Sequence, residues 1–263
     1  MLRRTLSIGS GILAAVAFAS VWSAQTKSPA GGCWTLQPSA SDDFTSFDAS
    51  KWTTHLWYDT SGVGAFNPAN VAVTDGELTL SAKRETHNGK PYTFGAVEST
   101  LDIPGAPSYV EVRARVLRSA ANVLSAIWLQ TSPLSQANNP NPEIDIEETF
   151  TYHQLIASLH RWVAPVSEKT HVLDAHERSN VNIADISDDY HLYGLERNNG
   201  VLRFYFDNQL VWQTAPRDAA YVTMPRHLVL SLEGHLGQPV DAYLPATYRI
   251  DYVRTYVCHA DGR

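Results

Sequence analysis

The chain has 263 residues, 44% hydrophobic and 10% aromatic, enough apolar material to bury a core of one large domain or two small ones, and it is not the composition of a disordered protein. Its formal charge is −7, and loss of Arg3 and Arg4 with the first 24 residues would take it to −9. A surface of that sign disfavours nucleic acid and anionic membranes as partners.

Residues 1–24 read as a secretory signal: Arg3 and Arg4, an apolar stretch around Ile12 to Phe18, then small residues in "FASVWSA". The apolar run is short and interrupted by Gly9, Ser10 and Gly11, which speaks against a membrane anchor. The mature protein is therefore expected to be secreted, extracellular or periplasmic, without membrane attachment. Residues 25–32, "QTKSPAGG", look like a flexible leader before a domain spanning 33–263. The only cysteines are Cys33 and Cys258. In an exported chain an even count at the two termini suggests one disulfide closing the ends together. Two free thiols, or lipid attachment at "AGGC", are the alternatives.

Beyond the leader the dominant period is two. "VAVTDGELTLSA", residues 71–82, gives two alternating runs around Asp75-Gly76, a dipeptide suited to the positive φ angles of a tight hairpin. "YVEVRARV", residues 109–116, sets Tyr109, Glu111, Arg113 and Arg115 on one face and Val110, Val112, Ala114 and Val116 on the other. Residues 190–214 read as three strands with turns at Asn198-Asn199-Gly200 and Asp207-Asn208, followed by strands in 227–233 and 248–257. Stretches 131–142 and 163–189 are less regular and are read as loops. Many short strands and no amphipathic helix outside the signal predict an all-β sandwich or barrel.

One strand is unusual. "PEIDIEETF", residues 142–150, packs Glu143, Asp145, Glu147 and Glu148 into six positions. Alternation puts Glu143 and Asp145 on one face and Ile144 and Ile146 on the other. A merely solvated face would more naturally mix in Lys, Thr or Ser, because like charges repel along a strand and Asp and Glu are poor strand formers. Glycoside hydrolysis with retention does need two carboxyl groups, about 5 Å apart, flanking the scissile bond. Strand positions i and i+4 lie roughly 13 Å apart along the backbone. Two such glutamates can meet one bond only on a concave sheet with side chains leaning inward.

"EIDIEE" resembles the signature of glycoside hydrolase family 16, which occurs as E-x-D-x-E on a regular strand and as E-x-D-x-x-E where a β-bulge adds a residue. Both forms fit this sequence. The resemblance extends through "DDF…SKW", "NVAVTDGELTLSAKRE", "GAVES", "YVEVRARV", "AIWLQ", "ASLHRW", "YHLYGLE", "RFYFDNQLV" and "IDYVRTYV", in family order. It implies a jelly-roll β-sandwich with a concave substrate cleft, cleaving a β-linked polysaccharide by double displacement.

Carried over by position, Glu143 matches the nucleophile and Asp145 the assisting acid. Glu148 matches the acid/base of the bulged form and Glu147 that of the regular one; "ETF" after the signature favours Glu148. His160 in "ASLHRW" and Trp128 in "IWLQ" match residues near the cleft, and Glu233 matches an acidic position beside it in galactan-cleaving members. Trp57, Trp162 and Trp212 are candidate sugar platforms that could equally be core. No catalytic cofactor is implied. A structural Ca²⁺ is, with Asp251, the carbonyl of Gly76 and Asp43 as candidate ligands, though Asp251 has Arg249 and Arg254 nearby as salt-bridge partners. "IDIEETF", "ASLHRW" and "LVLSLEGH" look closest to members acting on galactans of the agar, porphyran or carrageenan type. A β-1,3- or mixed-linked glucanase is the alternative within the family, and a non-catalytic carbohydrate-binding lectin the alternative outside enzymes. A monomer is the expected state.

Overall fold

The structure, a computed structural model, describes residues 33–131, 141–151, 153–162, 171–180, 184–217 and 219–259. The candidate signal and leader lie outside the described residues, as do 132–140 of the stretch read as a loop at 131–142 and 163–170 and 181–183 of the one at 163–189.

Alternation does what it predicts. Leu78, Leu80 and Ala82, like Val110, Val112 and Ala114, are sealed from solvent on one face of their strands. Those faces can be buried only against a second sheet, and the result is a jelly-roll sandwich of two sheets. The cleft-bearing sheet has seven strands, in the order His171–Asn180, Gln154–Trp162, Asn141–Glu148, Leu124–Gln130, His227–Glu233, Ala96–Ser99 and Trp52–Thr53. The outer sheet has eleven, centred on Ser108–Arg115, Ala246–Cys258 and Glu77–Lys83. Its hairpins turn where expected: Asp75 and Gly76 have φ of 57° and 78°, Asp207 and Asn208 of 47° and 64°. Gly64–Phe66 pairs in parallel with Tyr92–Phe94, so the sandwich is not wholly antiparallel.

Cys33 and Cys258 are joined as a disulfide, next to the ladder in which Trp34 faces Cys258. The stretch read as a loop up to 189 contains a ten-residue strand, His171–Asn180, paired with Gln154–Trp162. It forms one edge of the sheet and leaves Val172 and Leu173 about half exposed, so its sequence carries no clean apolar alternation. A short helix, Ala219–Val222, also departs from the strand-only reading. Its Tyr221 hydroxyl donates to the carbonyl of His160, tying it to the back of the cleft sheet.

Candidate active site

The acidic strand is bulged. Against Leu124–Gln130, Trp128 faces Asp145 and Ile127 faces Glu147, which leaves Ile146 as one extra residue with no partner across the ladder. The bulge resets the alternation. Ile144, Ile146 and Glu147 all point between the sheets and are at most 1% exposed, whereas Glu143, Asp145 and Glu148 all line one cleft. Of the two adjacent glutamates, the strand thus sends Glu148 to the cleft and Glu147 to the core.

Each carboxylate is held differently. Glu143 Oε2 accepts from Gln130 Nε2 at 2.8 Å and from Trp162 Nε1 at 3.0 Å. Asp145 Oδ2 lies 3.0 Å from His160 Nε2, and His160 sits opposite Glu143 in the next ladder. Glu148 Oε2 accepts from Ser158 Oγ at 3.3 Å. On the facing wall Glu233 accepts from the Tyr58 hydroxyl at 2.8 Å and lies 3.4 Å from His235 Nε2.

Crowding and burial make this a proton-holding cluster. Burial, then the Asp145 charge, push Glu143 up to about 8, against the pull of His160 and the Trp162 hydrogen bond. Asp145 is pushed well above the carboxylate range by burial and by Glu148 and Glu233. Burial also raises Glu148, with His160 and Ser158 opposing. A proton on Asp145 removes the charge that disfavours ionisation of Glu143, whose two donors then favour its carboxylate. Glu148 has one hydroxyl donor and is suited to keeping a proton.

The cleft has a volume of about 520 Å³, within the size range of small-ligand sites. Trp128 forms part of its floor, with Nε1 donating to Ser231 Oγ at 3.1 Å and the Trp57 ring edge-on at 5.6 Å. Trp57, Trp128, Trp162 and Glu233 all line it. His160 stands behind the carboxylates rather than on the wall. Trp212 is elsewhere, stacked on Phe204 in the outer sheet. The Trp57–Gly62 wall is pinned to the Glu233–His235 wall by close backbone approach: a Cβ on Gly62, at φ +53°, would stand 2.2 Å from the Gly234 carbonyl oxygen. Sequence reading missed Gln130, Tyr58, His235 and Ser231. Gln130 was within reach, since it shares a strand face with Trp128; the others are brought in from distant segments.

The residues considered for calcium are engaged with cations instead. Asp251 Oδ2 is 2.5 Å from Arg113 and Asp43 Oδ1 is 3.4 Å from Arg254. Gly76 lies in the hairpin turn, and no group of three acidic, histidine or cysteine ligands among the described residues includes Asp251 or Asp43. A guanidinium against each carboxylate does not fit a dication. The one such group is Glu143, Asp145 and His160, with ligand atoms within 4.8 Å of one another, and it is the carboxylate cluster itself.

A family model described as "Beta-porphyranase A-D, GH16 domain" matches residues 34–258. The chain is 28% identical over 217 residues to a β-glucanase of Acetivibrio thermocellus, covering 81% of this chain and 61% of the relative. It is 25% identical over 269 residues to the κ-carrageenase of Pseudoalteromonas carrageenovora, covering 86% and 66%. It thus spans about two thirds or less of the length of both. The fold matches that of β-agarase A from Zobellia galactanivorans with a TM-score of 0.73 at 19% identity, over 86% of this chain and 93% of that one.

Proposed function

Since the chain belongs to glycoside hydrolase family 16, we propose that it is a secreted, retaining endo-β-glycoside hydrolase whose substrate is a galactan of the agar, porphyran or carrageenan type. The reading rests on the bulge, through which Glu143, Asp145 and Glu148 share one cleft while Glu147 does not. Glu143 attacks the anomeric carbon and forms a glycosyl-enzyme ester, while Glu148 gives its proton to the departing glycosidic oxygen. Glu148 then takes a proton from water, which attacks the anomeric carbon, expels the Glu143 carboxylate and restores the β configuration. Asp145 carries a proton next to Glu143 and lets it ionise. Trp57, Trp128 and Trp162 offer ring faces and edges to the sugar, and Glu233 accepts from its hydroxyls.

The porphyranase family model and the κ-carrageenase relative support a galactan. The β-glucanase relative, of similar identity, supports a β-1,3- or mixed-linked glucan as the second reading. The signal-like segment 1–24 and the disulfide support export. Release of reducing ends from agarose, porphyran, κ-carrageenan, laminarin and lichenan tests the reading, with product anomers followed by NMR. Turnover on a galactan, lost in Glu143→Gln and in Glu148→Gln, is expected. Turnover confined to laminarin or lichenan selects the glucan, and retention on a polymer without turnover selects a lectin.

A further inference from the structure

His171 lies in the stretch read as loop and carries no role in the scheme above. It is the first residue of the edge strand, opposite Trp162 in the ladder. Its Nε2 stands 2.6 Å from Nδ1 of His160, and its ring lies over Trp162 at 4.4 Å and 29°. The two imidazoles are nearly parallel, at 25°, with centres 4.6 Å apart. That separation is about the nitrogen contact plus the two ring radii, so the rings meet edge to edge through a hydrogen bond.

The neighbours of His171 are the two residues that reach the catalytic acids. His160 presents its other nitrogen to Asp145 at 3.0 Å, and Trp162 donates to Glu143 at 3.0 Å. Resting on the hydrolase reading, we infer that His171 is a positioning residue: it fixes the ring plane of His160 by a hydrogen bond and that of Trp162 by stacking, and so sets the orientation of Asp145 and Glu143. Two ring nitrogens in contact must share a single proton, so the bond also sets whether Nε2 of His160, the nitrogen that faces Asp145, carries a proton. Among the described residues, Asp145 faces the pair through His160, and Glu143 faces it through Trp162.

Two substitutions separate the contacts. His171→Phe keeps a ring over Trp162 and removes the nitrogen; His171→Gln keeps a nitrogen near the position of Nε2 and removes the ring. The wild type is expected to show an imidazole N–H proton far downfield in ¹H NMR, absent from His171→Phe. On whichever polymer the wild type cleaves, His171→Phe should lower kcat about tenfold or more with KM within about twofold, since misorientation of reacting groups costs rate rather than binding. His171→Gln should recover the part of kcat that the hydrogen bond supplies and keep the smaller loss that comes with the stack on Trp162. A His171→Phe enzyme with kcat within about threefold of wild type, or one changed only in KM, overturns the inference while leaving the hydrolase reading intact. Absence of the downfield proton from the wild type overturns it without any assay of turnover. A wild type that cleaves none of the polymers refutes the hydrolase reading and, with it, the catalytic part of this one.

Discussion

Replacing Glu147 by Gln should leave turnover unchanged and make the protein more stable, by an amount that grows with pH. The carboxyl is sealed between the sheets, with Oε1 accepting from Thr149 Oγ1 at 2.6 Å and Tyr193 and Tyr248 nearby in the core. Burial holds its pKa well above the ordinary 4.5. For a group whose folded pKa is raised, the stability of the native state is fully present below the unfolded value and is lost as pH rises towards the folded one. The loss is about 1.4 kcal/mol per pH unit in that window. Gln keeps the shape and an oxygen for Thr149 but cannot ionise. For each pH unit between the ordinary 4.5 and the raised folded value, the stability gap between variant and wild type should therefore widen by about 1.4 kcal/mol, or about 3–6 °C in Tm for a chain of this size. Glu143, Asp145 and Glu148 titrate in both proteins, so their contributions cancel in the difference. Thermal melts of the two across pH 5 to 8, beside an assay of reducing ends, measure both outcomes. A gap that does not change with pH, or a loss of turnover in Glu147→Gln, would refute the assignment of Glu147 to the core.

Reducing the Cys33–Cys258 bond, or replacing both residues by Ser, frees a loop spanning 225 residues and should cost about 5 kcal/mol. Circular dichroism melts with and without reductant measure it, and identical curves would contradict the expectation. Gly234→Ala puts a Cβ 2.4 Å from the Ser61 carbonyl oxygen, so the two cleft walls must part. A loss of about 1–3 kcal/mol and a raised KM should follow, read by melts and by kinetics at several substrate concentrations. Because Asp251 and Asp43 face arginines, millimolar Ca²⁺ and chelator should give the same Tm; a rise of several degrees with Ca²⁺ would show that the arginines yield to the ion.

Local alternation made the strands legible, since each buried face writes its period into the chain, as in Leu78, Leu80 and Ala82. The edge strand His171–Asn180 was not legible, because a strand half open to solvent needs no apolar rhythm. Among the site residues, Glu143, Asp145 and Trp128 follow from strand position plus family likeness. The choice between Glu147 and Glu148 rests on a ladder whose partners, from Leu129 with Ile144 to Ala126 with Glu148, are far apart in sequence, information that the motif alone does not contain. Tyr58 and His235 meet Glu233 only because the chain crosses itself at Gly62 and Gly234. Such contacts between remote segments leave no periodic trace.

The bulge also bears on how the family's two signatures could pass into one another. Loss of Ile146, a single codon, would straighten the strand and restore strict alternation. Alternation would then run Glu143 out, Ile144 in, Asp145 out, Glu147 in and Glu148 out, so Glu148 would keep its outward place, now in the regular E-x-D-x-E spacing. An ordinary strand cannot lose one residue without turning its outward side chains inward. Here the residue lost is the unpaired one of the bulge, so Glu143, Asp145 and Glu148 keep one face, and a sequence of this kind can stand between bulged and regular enzymes without passing through an inactive intermediate.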